Sequence, residues 1–163
     1  MSELIKRLMQ QPLPSKTYQR KLQYRPSLDE IDYYYELINQ NCFGGQLKSP
    51  VIFVGRIHKV WGVCHWENDM QQTGSYCWMR ISDKWFCPQW LLNVLAHEMV
   101  HQYVWDIYRW EHRRMHGRDI HTGGNGHGPS FFAWRETLAK HGLHLKTAHN
   151  QHRWFKYQDF SKC

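Results

Sequence analysis

Cysteine is sparse and unpatterned in this chain: Cys42, Cys64, Cys77, Cys87 and Cys163 are odd in number and widely spaced, and no CxxC pair occurs. Neither a disulfide framework nor a zinc ribbon is indicated by that spacing, and reduced thiols are expected, even for Cys64 and Cys77, which could face each other across strands. Also missing is any apolar run near the roughly 20 residues that a membrane-spanning helix needs. The N-terminus has neither the apolar centre nor the small-residue cleavage site of a secretory signal. We therefore expect a soluble intracellular protein with no membrane partner. There is no internal repeat and no low-complexity stretch.

Acidic residues are the other shortage, 14 against 21 Lys and Arg in 163 residues, for a formal charge of +7. An excess of that sign favours a polyanion, because neutralising phosphates is a large attraction independent of base sequence. The excess is concentrated at the ends. Residues 1–26 carry Lys6, Arg7, Lys16, Arg20, Lys21 and Arg25 against Glu3 alone, and Lys140, Lys146, Arg153, Lys156 and Lys162 lie toward the other end. Trp154, Phe155, Tyr157 and Phe160 are interleaved there, either to stack on unpaired bases or to dock on the domain.

With 42% apolar and 15% aromatic residues, the length suits one cored domain. Residues 1–26, with Pro12, Pro14 and Pro26 and only a short amphipathic turn at Leu4, Ile5 and Leu8, read as a basic arm. Residues 27–145 read as the domain and 146–163 as a basic, aromatic tail. Ser27-Leu-Asp-Glu30 forms a capping box for a first helix running to about Asn39. Val51–Gly55, Val60–Trp66 and Tyr76–Ser82 are short and rich in β-branched and aromatic residues, which predicts three strands. Pro88 suits the first turn of a helix over about Gln89–Asp106 or somewhat beyond, and Pro129 opens a last one over about Ser130–His141. Between those two, 107–128 is polar and glycine-rich and reads as a long connection.

The central helix contains Leu95-Ala-His97-Glu98-Met-Val-His101, an HExxH pattern. On a helix His97 and His101 project from one face within about 6 Å of rise, so both rings can chelate one ion, while Glu98 is displaced from that line and suits a base. A shuffled chain of this composition would hold the pattern only about 0.04 times, which makes chance a poor account. Leu92, Leu95, Met99 and Tyr103 form a core face opposite His97, so the histidines are not needed for packing. Trp90, Val94 and Val104 flank them. Two imidazoles and a carboxylate in apolar surroundings cost several kcal/mol unless a strong partner compensates, and a metal is the simplest one.

A catalytic zinc usually has three protein ligands. The extended pattern HExxHxxGxxH fails, because Val104 and Ile107 stand where glycine and histidine would be required. Glu136, between Arg135 and Leu138 on an amphipathic helix, fits a solvated face better than a ligand. His127 is better placed, in Gly126-His127-Gly128-Pro129-Ser130-Phe131, where glycines permit close backbone approach and Pro129 starts a helix.

With CFGGQL at 42–47, LAHEMVHQYVW at 95–105 and GHGPSF at 126–131, in that order, the chain resembles the SprT-like zinc metalloprotease family over roughly 27–145. The resemblance implies a compact zincin-like α+β domain, a small three-stranded sheet packed on the HExxH helix with flanking helices. It also implies Zn2+ bound by His97, His101 and His127, with Glu98 as catalytic base. The expected reaction is hydrolysis of peptide bonds by a zinc-activated water. Expected partners are a protein or peptide substrate and DNA, single strands ahead of sequence-specific duplex, in the cytoplasm or at nuclear or nucleoid DNA, because family members act on proteins crosslinked to DNA. Two rivals stand beside this reading: a general zinc peptidase with no DNA role, and a non-catalytic nucleic-acid-binding domain with a structural zinc. Tyr103, His116 and His121 could stabilise an oxyanion, and His112, His116 and His121 could form a second metal site, but Arg113, Arg114 and Arg118 oppose a cation there.

Overall fold

In the computed structural model, residues 2–11, 24–67, 75–120 and 126–147 are described. The tail from 148 onward, His121 and Cys163 lie outside them. The fold is α+β. Where the sequence reads as an arm, Ser2–Gln10 forms a helix, α1, whose Ile5 is fully buried in the core. The amphipathic turn at Leu4, Ile5 and Leu8 is therefore a docked helix rather than a solvated strand of chain. Tyr24 exchanges two main-chain hydrogen bonds with Trp85, so the chain is already tied to the domain before the next helix begins.

Helix α2, Leu28–Cys42, starts at Ser27, whose hydroxyl accepts from the Glu30 N–H at 3.1 Å. The other half of the capping box is diverted, because the Glu30 carboxylate accepts from the Tyr24 and Tyr34 hydroxyls instead. The helix runs one turn past the expected end. Asn39, buried within it, holds Leu47 through both main-chain groups, with Nδ2 donating to the carbonyl at 3.0 Å and Oδ1 accepting from the N–H at 3.1 Å. Between them Gly44 and Gly45 both take positive φ, which closes the turn at the cost of side chains there.

Three strands follow: β1, Val51–Gly55; β2, Gly62–Trp66; and β3, Cys77–Ser82. Their spatial order is β1-β3-β2, with β1 parallel and β2 antiparallel to β3. The last strand in sequence is thus central and both earlier ones are edges. Cys77, Met79 and Ile81 point into the core, and the intervening Trp78 and Arg80 point away from it, as the two-residue period of a strand requires.

Helix α3, Pro88–Tyr103, opens on proline and is buried on all sides from Gln89 to Val100. Trp90, Val94 and Val100 are as inaccessible as Leu92, Leu95 and Met99, so the face beside the histidines is core as well. The helical path continues beyond Asp106. It passes through a π-helical turn, Val104–Tyr108, into α4, Arg109–His116, where Gly117 ends it in the left-handed region. Half of the expected connection is therefore helical. The last helix is in two pieces, α5, Pro129–Phe132, and α6, Arg135–Ala139, rather than one. At the break Trp134 packs 4.5 Å from both the Phe43 and Tyr103 rings, a contact that joins α2, α3 and the end of the chain described.

Candidate metal centre

His97 and His101 lie one turn apart on α3, and the chain returns after α4 so that Gly126-His127-Gly128 lies across them. The three Nε2 atoms form a nearly equilateral triangle: 3.2 Å from His97 to His101, 3.2 Å from His101 to His127 and 3.1 Å from His127 to His97. A tetrahedral zinc with bonds of about 2.0–2.1 Å separates its nitrogens by about 3.3 Å, so this donor set fits one ion. Among the described residues this is the one group of three side chains that could hold a metal. Phe131, fully buried, forms an apolar floor, its ring 4.6–4.9 Å from all three imidazoles.

Local backbone chemistry explains how the loop comes so close. Gly126 has φ +73°, and a Cβ there would sit 3.3 Å from the His101 ring. Glycine is needed for both the conformation and the space. Pro129 then fixes the first turn of α5 directly after His127 and Gly128. Burial drives the rings toward the neutral, ligand-ready form: it lowers the pKa of His101 to about 4, helped by repulsion from His127, and also lowers that of His127.

Glu98 is buried beside the triad, only 6% exposed like His97. Burial pushes its carboxyl up to about 8, partly offset by a hydrogen bond from the Cys64 main-chain N–H on β2. Strand and carboxylate are in intimate contact because residue 62 is glycine. A Cβ at Gly62 would lie 2.8 Å from Val94 Cγ1 and 3.1 Å from Glu98 Cγ and Oε1. Val94 is buried and has no room to swing. Gly62→Ala is therefore expected to destabilise the fold by about 1–3 kcal/mol, measured by urea unfolding. Any hydrolytic activity should fall further than stability accounts for, since Glu98 must move.

A model of the SprT-like family matches residues 31–149. The chain belongs to the SprT-like family. Comparison with curated proteins and with solved structures returns no match. The family match spans α2 through the far side of α6, and so includes His97, Glu98, His101 and His127.

The remaining sequence candidates fall elsewhere in this SprT-like domain. Glu136 is solvent-exposed on α6 and paired with Lys140 at 3.8 Å, away from the triad. Tyr103 is wedged between Phe43 and Trp134. His112 and His116 lie ring against ring at 4.5 Å on α4, and His112 Nδ1 bonds the Arg118 carbonyl oxygen rather than facing a third ligand. Cys42, Cys64, Cys77 and Cys87 are free thiols.

Sequence reasoning passes over Gln102, the residue after the second histidine. It is fully buried, accepts from the Tyr35 hydroxyl at 2.8 Å, and donates to the Lys48 carbonyl at 2.7 Å and to Asp106 Oδ2 at 3.0 Å. Asp106 in turn accepts from the Ser75 hydroxyl and the Tyr76 N–H, tying the π-helical turn to the start of β3. The signal was present: an amide and a carboxylate four residues apart on an apolar helix must find partners.

Proposed function

We propose that this SprT-like domain is a zinc-dependent endopeptidase, with His97, His101 and His127 as metal ligands and Glu98 as general base, acting on proteins associated with or crosslinked to DNA. The observation that carries the reading is the Nε2 triangle with a buried carboxylate next to it and an edge strand alongside. Zinc, when bound, would supply a water polarised enough to attack at neutral pH and a Lewis acid for the peptide carbonyl. Glu98 handles the protons, taking one from the attacking water and returning one to the departing amine. In the metal-free site burial raises its carboxyl to about 8, and a bound cation beside it would favour the charged form again, leaving the carboxylate free to accept a proton at neutral pH.

Strand β2 supports an endopeptidase in particular. Tyr76–Ser82 lies at the centre of the sheet, so it has no free edge to offer, whereas β2 is an edge and reaches Glu98 through its Cys64 N–H. An extended peptide added to that edge would be held by main-chain bonds and so accepted with little regard to its side chains. The DNA role is supported by the formal charge of +7 and by family membership. A structural zinc would need a fourth protein ligand, and the group in the described residues has three.

Metal exchange tests this. Removing metal with a chelator should abolish cleavage of a DNA-binding protein, and adding zinc back should restore it, with faster cleavage when single-stranded DNA is present. Cleavage that persists without metal would overturn the zinc mechanism. Zinc-dependent cleavage indifferent to DNA would establish the general peptidase instead.

A further inference from the structure

The face of the sheet turned away from α3 is built as a stacking platform. Register aligns Val51, Trp78 and His65 in one row across β1, β3 and β2, and Phe53, Arg80 and Val63 in the next. At its centre Trp78 stacks on His65, centroids 4.2 Å apart at 19°, and meets Phe53 edge-on at 5.9 Å and 85°. The indole is fixed in place, because its Nε1 donates to Glu67 at 3.1 Å. Phe53 is 52% exposed, and His65 and Arg80 are exposed as well. A large aromatic left that open on an ordered strand gains little for the fold.

From this arrangement we infer that the outer face of the sheet binds an unpaired nucleic-acid strand, its bases stacking on Phe53 and His65 and its phosphates meeting Arg80 and the cations of the adjoining loop. Exposed rings on a sheet next to a cation are how sequence-tolerant single-strand binders work, since every base has a π face and every linkage a charge; here Phe53 stands edge-on to Trp78, and His65 has Trp78 against one face and the other left for a base. The loop leaving β1 adds exposed Arg56, His58 and Lys59, so positive charge outweighs the nearby acids Glu67 and Asp83. Glu67 is already engaged with Trp78. The surface also sits in a useful place. His65 on the platform and Cys64 at the edge beside Glu98 are neighbours on β2, so a strand held on the outer face would lie close to a peptide held at the edge. This deepens the reading above, and rests on it for the purpose of the binding but not for its existence.

The test uses the full chain with zinc bound and Glu98→Gln to prevent self-cleavage, and measures fluorescence anisotropy of a labelled oligothymidine of about 15 nucleotides, long enough for one such site. Phe53→Ala should weaken binding about 10-fold, and Phe53→Tyr should preserve it. Arg80→Gln should weaken it about threefold to tenfold and reduce the dependence on salt by about one released ion. Arg113→Gln with Arg114→Gln on α4 should have a smaller effect than either. Wild-type affinity in both Phe53→Ala and Arg80→Gln would overturn the proposal, as would loss of binding only when residues 148–163 are removed, or a platform that captures acidic peptide but no oligonucleotide. Hydrolysis of a DNA-free peptide, measured separately on the chain with Glu98 intact, keeps the two readings apart. Hydrolysis without oligonucleotide binding sinks only the platform, and binding without hydrolysis sinks only the peptidase.

Discussion

Replacing Glu98 with glutamine is expected to lower kcat for the proposed peptide hydrolysis by about 10²–10⁴-fold, the range that a positioned general base supplies, with zinc content unchanged. At about 1.4 kcal/mol per tenfold, that is roughly 3–5.5 kcal/mol of barrier. The exchange is a clean one in this site. Glutamine keeps the shape of the side chain and an oxygen to accept from the Cys64 N–H, the bond that fixes Glu98 against β2. It cannot take a proton. Burial already disfavours the charged carboxylate, so a neutral amide there costs the fold nothing electrostatically. KM should change little, because in the proposed reading peptide is held by the β2 edge and not by this carboxylate. The check is a pair of measurements on the same preparation, zinc by atomic absorption and initial rates of cleavage. Equal rates in the two proteins would remove Glu98 from the mechanism, and loss of zinc together with rate would make it a structural support of the metal site instead.

The features legible in the sequence are those fixed by local geometry. His97 and His101 share a face because four residues make slightly more than a helical turn, and Pro88, Ser27 and Pro129 mark helix starts because their chemistry is local. What sequence reading misses depends on distant partners. The π-helical turn keeps Asp106 on the Ser75 hydroxyl and Tyr76 N–H, groups 31 and 30 residues away in the chain, and no window around Asp106 contains that information. Trp134 interrupts the last helix to reach Phe43 and Tyr103. Ile5 becomes core only once α2 and α3 are in place to cover it. Gly62 reads only as one residue of the strand predicted at Val60–Trp66 and proves to be the point where β2 meets α3, visible only when Val94 and Glu98 are seen opposite it. The order β1-β3-β2 belongs with these, since adjacency in sequence would pair β1 with β2.

The second large effect concerns His127, the proposed third ligand. His127→Ala is expected to weaken zinc binding by roughly 10²–10³-fold, a per-ligand share of the 10–16 kcal/mol typical of tight four-ligand sites. His127 supplies two of the three sides of the Nε2 triangle, 3.2 Å to His101 and 3.1 Å to His97, and no acidic side chain in the described residues stands ready to replace it. Glu136, the other downstream candidate, points to solvent and Lys140. Because metal bound only to the native state stabilises it by about 4 kcal/mol at a thousand times its Kd, the loss is visible without any enzymatic assay. Thermal unfolding of the wild-type chain should rise steeply on zinc addition, while that of the variant stays flat over the same concentrations. Glu136→Ala should behave as wild type in this titration. If His127→Ala keeps the full zinc-dependent rise and Glu136→Ala loses it, the ligand set is wrong, and the loop at 126–128 serves only to roof the site. If neither variant loses it, zinc binds without His127, which then closes the triangle by packing rather than as a ligand.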